Sequence, residues 1–291
     1  MSIARHSHRF LALAFGLALA LPACAQNAPL AEPVKSEYKP QIGQAGKDVV
    51  WVPTPPELVE RMLDMAKVTQ QDTVIDLGSG DGRIAIAAAK RGAKTKGIEY
   101  NPDMVDLSRK NAAAQGVGDK VEFVRGDIFE TDFGNATVIT MYLLPGLNMK
   151  LRPKLLDMKP GTRIVSHAFN FEDWEPDQNA EVEYRNAYLW IVPAKVAGTW
   201  RFVSPVGNGQ ETVDVQLQQK FQKVAGTARR DGKEVPVTEG RLAGDRLTFA
   251  YTDASGVKHE YSGKVTGDRI AGTTKLQTGA SVPFTATRSG S

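Results

Sequence analysis

Three acidic side chains and a glycine-rich loop occur at the ends of successive apolar runs in the first half of the chain. Residues 76–82 read Asp-Leu-Gly-Ser-Gly-Asp-Gly and overlap the end of the first run. Glu99 ends the second run, and Asp127 follows the third. If the runs are parallel strands, these positions share one edge of a sheet, where open α/β sheets bind ligands. The sequence thus predicts a crevice that combines a glycine loop with concentrated negative charge.

The charge of this crevice favours a cationic cofactor over a dinucleotide. Asp76 at the strand end is a poor neighbour for a pyrophosphate, and Arg83 stands where the dinucleotide fingerprint has its third glycine. S-adenosylmethionine (SAM) carries an ammonium and a sulfonium group, which nearby carboxylates stabilise. Glycines let the backbone approach such a cofactor, and the N-terminus of the following helix can receive its carboxylate. We therefore predict SAM rather than NAD or FAD.

The predicted site residues have distinct expected roles around SAM. Glu99, about twenty residues beyond the loop, can accept hydrogen bonds from both ribose hydroxyls. Asp127 can accept one from the adenine amino group, with Ile128 or Phe129 packed on the ring. Thr54 is expected either to contact the cofactor carboxylate or to cap a helix. The predicted cofactor-binding residues are Thr54, Asp76, Gly78, Gly80, Asp81, Glu99 and Asp127.

Strands and helices alternate along the part of the chain that carries these residues. The strand-like runs are separated by helical segments and occupy residues 73–76, 95–99, 121–124, 136–141 and 163–166. This alternation predicts a Rossmann-like α/β domain with a parallel, doubly wound sheet. A hairpin made of residues 181–184 and 188–192, which turns at 185–187, is expected to form the antiparallel edge of the same sheet.

The character of the sequence changes near Lys195. Residues 196–291 have no helical period and consist of short alternating segments separated by Gly-Asp, Asp-Gly and Ser-Gly turns. This pattern predicts a separate all-β domain, either a small barrel or a sandwich. Its opening Gly198-Thr199-Trp200 resembles the start of lipocalin-type barrels. Such a domain could bind a ligand, recruit a protein partner or stabilise the C-terminus, and these alternatives stay open.

The N-terminus has the pattern of a secretory signal peptide. Basic residues precede an apolar run at 10–21, which is too short to span a membrane comfortably. Cleavage after Ala25 fits one processing rule, whereas the stretch ending at Cys24 also resembles a lipoprotein signal. Cys24 is the only cysteine, so the rest of the chain forms no disulfide and no thiolate zinc cluster. We expect residues 1–25 to direct export to a periplasm, and residues 26–47 to form a flexible arm.

Short motifs around the cofactor loop carry a family resemblance. They are Val-Pro-Thr-Pro at 52–55, Tyr-Leu-Leu-Pro at 142–145, Leu-Arg-Pro at 151–153, Ser-His at 166–167 and Asp-Trp-Glu-Pro at 173–176. In this order they resemble bacterial relatives of the mitochondrial protein-lysine methyltransferases that act on the adenine nucleotide translocase and on the c ring protein of ATP synthase. Those enzymes are distantly similar to Dot1-type methyltransferases. The resemblance implies a seven-stranded class I methyltransferase domain at 48–195 with an antiparallel last strand, SAM as donor and a lysine acceptor.

The acceptor side of this fold is expected where the fourth strand ends. Tyr142 follows that strand without the Asn/Asp-Pro-Pro-Tyr motif of many amino-group methyltransferases, which argues against adenine, cytosine and glutamine acceptors. Tyr142 could orient the acceptor amine, or it could pack beside Pro145. His167 could relay a proton or be a buried structural residue. Asp173 and Trp174 are expected to border the substrate channel, although Trp174 could instead anchor its loop.

The sequence therefore predicts a SAM-dependent methyltransferase that acts on a protein lysine. Methylation of a small molecule or lipid is one alternative, and an exported binding protein on an inactive methyltransferase scaffold is another. The net charge of +3 comes without basic runs, so no nucleic-acid partner is predicted. No metal site is predicted either. A membrane contact is expected only if Cys24 carries a lipid.

Overall fold

The protein is described by a computed structural model that covers residues 38–275 and 279–289. The predicted signal peptide, Cys24 and the first part of the predicted arm lie outside these described residues. Within the described ranges, no helix is long and apolar enough to cross a membrane. A mixed sheet ends at Ile191, and a barrel starts at Gly198, so the two expected folds follow each other along the chain.

A seven-stranded sheet forms the centre of the first domain and confirms the predicted α/β fold. Its strands are β1 Thr73–Leu77, β2 Lys94–Glu99, β3 Val121–Arg125, β4 Val138–Met141, β5 Arg163–His167, β6 Gln178–Val182 and β7 Arg185–Ile191. They stand in the order β3-β2-β1-β4-β5-β7-β6. The direction of winding reverses between β1 and β4, and a ligand crevice is expected beyond the carboxyl ends of these two strands.

Helices connect the strands and begin at the same edge of the sheet. They are α1 Pro56–Met65, α2 Arg83–Lys90, α3 Pro102–Ala114 and α4 Pro145–Leu156. Proline starts α1, α3 and α4, where its missing N–H costs no helical hydrogen bond. Because α2 follows β1, α3 follows β2 and α4 follows β4, three helix N-termini lie at the predicted ligand edge.

The predicted hairpin forms the antiparallel edge of the sheet, as expected, but its turn differs from the prediction. The turn is formed by Glu183 and Tyr184, both at positive φ, and not by residues 185–187. Two residues suffice because this backbone twist matches that of the flanking strands. Strand β7, the last of the sheet, pairs antiparallel with β5, and β6 is the outermost strand.

The second domain is a closed barrel, which decides between the predicted barrel and sandwich. Consecutive strands pair antiparallel, and the pairing of β15 with β8 closes the ring. Its strands are β8 Gly198–Val206, β9 Gly209–Lys220, β10 Lys223–Arg230, β11 Lys233–Ala243, β12 Arg246–Thr252, β13 Lys258–Thr266, β14 Arg269–Lys275 and β15 Ser281–Arg288. Each of these described strands therefore has a neighbour on both sides, which protects its backbone from pairing with another chain.

Aromatic side chains fill the middle of the barrel. The ring of Phe202 lies 5.3–5.4 Å from the rings of Phe249, Tyr261 and Phe284. At one end, Trp200 is buried and the Arg288 guanidinium lies 4.4 Å from its ring centroid. The barrel therefore has a packed aromatic core of its own.

The barrel attaches to the first domain at the edge where β5 begins. The turn between β11 and β12 lies against Gly161, which precedes β5. In the same turn, the carbonyl of Gly244 accepts a hydrogen bond of 2.9 Å from the amide of Ala194. The opposite edge, where β1 and β4 end, is left to the predicted crevice.

Candidate cofactor site

A cavity of about 260 Å³ lies beyond the carboxyl ends of β1, β2 and β4, as the strand order predicts. Its floor is the loop that follows β1, and its sides come from the segments that follow β2, β3 and β4. Residues 44–54, which precede α1, also line it. The predicted residues on this lining are Thr54, Asp76, Gly78, Gly80, Asp81, Glu99, Asp127 and Tyr142.

The floor of the cavity requires glycine at two positions. Gly82 has φ 84° and caps α2, and a Cβ there would lie 2.6 Å from the ring of Phe123. Gly80 has φ 54°, and a Cβ there would lie 2.8 Å from Nε1 of Trp51. Both positions combine a left-handed backbone with a close neighbour, so any side chain would fill or distort the cradle.

Asp76 is the buried acid of the site. Its side chain accepts a hydrogen bond of 2.7 Å from the Thr140 hydroxyl, and the residue is only 2% exposed. Burial raises the pKa of its carboxyl to about 7, and the carboxylates of Asp81 and Glu99 contribute to this rise. A cation placed beside these three acids would restore the charged form, because opposite charge lowers a carboxyl pKa.

Glu99 is held in place by the backbone at both carboxylate oxygens. Oε2 accepts a hydrogen bond of 2.9 Å from the amide of Gly80, and Oε1 accepts one of 2.9 Å from the amide of Asn101. Each oxygen keeps a second lone pair for another donor. The carboxylate is thus preoriented at the end of β2 with capacity to accept hydroxyl groups.

Asp81 and Thr54 are joined through one arginine. Arg83 forms an ion pair of 2.6 Å with Asp81 and donates a hydrogen bond of 3.0 Å to the Thr54 carbonyl. The Thr54 side chain does not cap α1, contrary to one of its predicted roles: the N-cap is Pro55, and no side chain caps the helix. The Thr54 hydroxyl instead lies 3.0 Å from Nδ1 of His167.

The rings of Tyr142 and His167 contact each other in a tilted arrangement beside the cavity. Their ring centroids are 3.8 Å apart, and the Tyr142 ring also stacks on Phe169 at 6.2 Å. Burial lowers the pKa of His167 to about 4, with a further contribution from Arg185. His167 is therefore neutral at pH 7, and it contacts the lining residue Tyr142 without lining the cavity itself.

Asp173 and Trp174 do not border the cavity, which corrects the prediction of a substrate channel at these residues. The Trp174 side chain is 0% exposed, and its ring lies 5.3 Å from Phe171 and 5.7 Å from Phe221 of the barrel. Asp173 forms a surface ion pair of 2.6 Å with Arg152. The loop turns away from the ligand edge because its tryptophan completes the core beneath the barrel.

Lys47 and Trp51 belong to the cavity-lining residues 44–53, which sequence reasoning missed. Residues 44–51 form a short hairpin in which Ala45 bridges Val50, and its tip carries Lys47. The Lys47 ammonium forms an ion pair with Asp127 and holds the pKa of that carboxyl below its usual range. Trp51 lies against the glycine loop. The only sequence signal for either was their closeness to the Val-Pro-Thr-Pro motif.

Comparison with known proteins shows the family to which the chain belongs. The ANTKMT methyltransferase domain profile matches residues 76–178. A protein-lysine N-methyltransferase of Saccharolobus islandicus is 44% identical over 151 residues, which cover 50% of this chain and 94% of that protein. The chain belongs to this methyltransferase family. The mouse adenine nucleotide translocase lysine N-methyltransferase is 32% identical over 120 residues, which cover 40% of this chain and 52% of that protein.

A solved structure of a relative is also similar. The crystal structure of an RNA methyltransferase from Salinibacter ruber in complex with S-adenosyl-L-homocysteine has 50% sequence identity and a TM-score of 0.49. It covers 50% of this chain and 96% of its own chain.

Family membership confirms the predicted enzyme class: the protein is a SAM-dependent methyltransferase. The matched residues 76–178 include the glycine loop and four acids of the cavity: Asp76, Asp81, Glu99 and Asp127. The glycine cradle, the buried Asp76 and the preoriented Glu99 fit a cationic cofactor with a ribose. The barrel of this methyltransferase lies outside the matched residues.

Proposed function

We propose that the protein transfers a methyl group from SAM to the side-chain amine of a protein lysine. The relationship to the Saccharolobus islandicus protein-lysine N-methyltransferase carries this proposal, because 44% identity extends over 94% of that protein. Methylation of a small molecule or lipid has no comparable observation in its favour.

The lining beyond β4 supports an amine acceptor. Tyr142, Leu143, Leu144, Leu147 and Phe169 form this side of the cavity, and none of these five residues carries a carboxylate. Apolar surroundings disfavour the charged form of an ammonium, so they lower the pKa of an entering lysine. The lysine would then present the neutral amine, whose lone pair is needed for attack.

The other side of the cavity supports the donor. When bound, SAM supplies an electrophilic methyl group on a sulfonium. In our proposal Asp76 faces the positive end of the cofactor, Glu99 accepts the ribose hydroxyls, and Asp127 accepts the adenine amino group. The N-terminus of α2 at Gly82 binds the carboxylate of SAM. These residues align donor and acceptor, which is the main requirement of an in-line displacement.

His167 has a positioning role in this proposal and not that of a general base. A base with a pKa of about 4 accepts protons poorly at neutral pH. Its ring instead supports Tyr142 from behind, while Nδ1 is engaged by the Thr54 hydroxyl. The proton of the acceptor lysine therefore leaves to solvent before the amine enters the apolar side of the cavity.

Labelled methyl transfer tests the acceptor. The full chain is incubated with SAM carrying a labelled methyl group and a bacterial extract, and protein, nucleic acid and lipid fractions are separated. We expect the label in protein, and as methyl-lysine after acid hydrolysis. The Asp76→Asn variant serves as the matched control. Label that accumulates in nucleic acid or lipid, or none above that control, contradicts the proposal.

We also propose that the protein is exported to a periplasm, on the support of the basic and apolar pattern of residues 1–25. Intact mass measurement after expression in a Gram-negative host distinguishes the routes. A chain that starts at Gln26 indicates ordinary cleavage, and a lipid on Cys24 indicates an anchored protein. An uncleaved chain in the cytosol rules out export.

A further inference from the structure

The adenine end of the cofactor site is occupied by a side chain of the protein itself. Asp127 has two carboxylate oxygens, and both have donors: Oδ1 accepts a hydrogen bond of 2.9 Å from the Phe129 amide, and Oδ2 pairs with the Lys47 ammonium. In the proposed function, this carboxylate accepts the adenine amino group. The oxygen that is not engaged by the backbone therefore already has a cationic donor, beside which the adenine amino group would have to bind or which it would have to displace.

Lys47 also lies over an aromatic ring of the cavity. Its ammonium lies 4.8 Å from the ring centroid of Tyr100, which lines the same cavity directly after Glu99. A cation over an aromatic face and a flat ring stacked on that face compete for the same area. Lys47 therefore occupies two contacts that an adenine ring with an exocyclic amino group would use: the carboxylate and the aromatic face.

The hairpin that carries Lys47 has a backbone that is hydrogen-bonded within itself. Its internal bonds are local: Gly46 donates to the Val49 carbonyl at 2.8 Å, and Trp51 donates to the Gln44 carbonyl at 2.9 Å. Lys47 holds the hairpin to the rest of the domain through its ion pair, and Trp51 does so by packing on the glycine loop. Lys47 remains partly exposed. Partial exposure and few ties are typical of segments with low local stability.

We propose that Lys47 competes with the adenine of SAM for Asp127 and Tyr100, so that the hairpin of residues 44–51 must release Asp127 before the cofactor is fully bound. This inference rests on the proposed role of Asp127 as the adenine acceptor. Lys47 thereby sets the affinity of the enzyme for its cofactor. Any condition that weakens the ion pair, such as added salt, favours cofactor binding at this end of the cavity.

Calorimetric titration of S-adenosyl-L-homocysteine into the full-length wild type and Lys47→Met tests the competition. Methionine keeps an unbranched apolar side chain of similar length and removes the charge. We expect the variant to bind about two- to fivefold more tightly, the size of effect that partly exposed ion pairs produce. Lys39→Met on the same arm is the matched control, since Lys39 does not line the cavity. It should leave the affinity unchanged.

The same measurement in an Asp127→Asn background separates competition from a structural effect. If Lys47 acts mainly through Asp127, Lys47→Met tightens binding clearly less once Asp127 is neutral, because only the competition for Tyr100 then remains. If Lys47→Met tightens binding equally in the Asp127→Asn background and in the wild type, the effect comes from the hairpin and the proposal is overturned. Weaker or equal binding by Lys47→Met in the wild-type background overturns it as well, because Lys47 would then assist the cofactor or ignore it.

The failure of the proposed function has a different signature. If Asp127 is not the adenine acceptor, Asp127→Asn alone leaves the affinity for S-adenosyl-L-homocysteine unchanged. If the cavity is not the cofactor site, Asp76→Asn leaves it unchanged too. Circular dichroism and thermal melting of every variant confirm that affinities are compared between folded proteins.

Discussion

The central sheet differs between the end where its parallel strands begin and the end where they finish. At the edge where β5 begins, the barrel covers the sheet, and Trp174 packs between Phe171 and Phe221 with no exposed surface. At the edge where β1 and β4 end, a cavity stays open, and the carboxylates of Asp81 and Glu99 oppose the charge of Asp76. One edge gains stability from packing, while the other retains unfavourable charge.

This difference shows which end of the sheet gains favourable interactions when a cofactor binds. Asp76 has a pKa of about 7 because burial and neighbouring acids oppose its charge. A cationic cofactor relieves that opposition, so part of the interaction appears only on binding. The edge covered by the barrel gains no comparable interaction on binding, because its large side chains are already in contact. The following substitutions test the contrast.

Trp174→Ala should have the largest effect of these substitutions, and it should lower the stability of the fold. Removing a fully buried indole from contact with Phe171, Trp190 and Phe221 leaves a cavity beneath the barrel. We expect a loss of about 3–5 kcal/mol in the free energy of unfolding. Urea denaturation measures it. Tyr184→Ala at the hairpin turn is the control, because that ring is 95% exposed. Equal losses in both variants would show that Trp174 does not anchor the barrel.

Asp76→Asn should mainly lower the affinity for the cofactor. Loss of the buried charge is expected to weaken SAM binding by about 10- to 100-fold, as for hydrogen bonds and contacts that involve a charged group. Titration calorimetry measures the change. Affinity within about twofold of the wild type would remove Asp76 from the binding site.

The same substitution should stabilise the cofactor-free protein at pH 8. The folded pKa of Asp76, about 7, lies above its usual value of 3.8, so the unfolded chain loses this proton first as the pH rises. Folding is therefore penalised increasingly from about pH 4 to about pH 7. We expect Asp76→Asn to gain on the order of 1–2 kcal/mol at pH 8 and nothing at about pH 3.5. A gain of equal size at both pH values would contradict the titration.

His167→Gln should have a smaller effect, visible in acid. The folded pKa of His167, about 4, lies below its usual 6.5, so the unfolded chain binds a proton that the folded protein refuses as the pH falls. The wild type should lose about 1 kcal/mol more than the variant between pH 7 and pH 4. Activity near neutral pH should keep its pH profile while kcat falls modestly. A profile that loses an inflection near pH 6.5 would make His167 a base.

Glu175→Gln should have the smallest effect. Glu175 pairs with Lys223 of the barrel at 2.7 Å, but both side chains are largely exposed. Exposed pairs are screened by salt and contribute little. We expect no measurable change in the thermal midpoint. A clear shift would show that charge, and not the Trp174 contact, holds the barrel.

The elements of the site that are local in sequence could be predicted, and those that depend on distant partners could not. The strand ends at Asp76 and Glu99 follow from apolar runs bounded by polar residues. The glycine loop is recognised from the spacing of its glycines. The hairpin turn was misplaced because Glu183 and Tyr184 carry no glycine or asparagine signal, although they adopt positive φ. One predicted role of the Thr54 side chain was to cap a helix whose N-cap is Pro55.

Trp174 shows most clearly what the motif could not reveal. An aromatic residue in a loop near the site is consistent with a channel wall and with an anchor, and only the barrel decides between them. Phe221 belongs to the turn that joins β9 and β10, and its ring meets Trp174 at 5.7 Å. Sequence patterns predict which residues are apolar, but not which domain covers them.

The sequence by itself determined the alternation of strands and helices, the acids at the strand ends and the class of cofactor, because each depends on neighbours within a few residues. The tertiary structure decided which groups meet. Lys47 reaches Asp127 across 80 residues of sequence, and Thr54 reaches His167 across 113. Such contacts form only when the whole sheet is assembled, since their free energy depends on burial and alignment that no local pattern encodes.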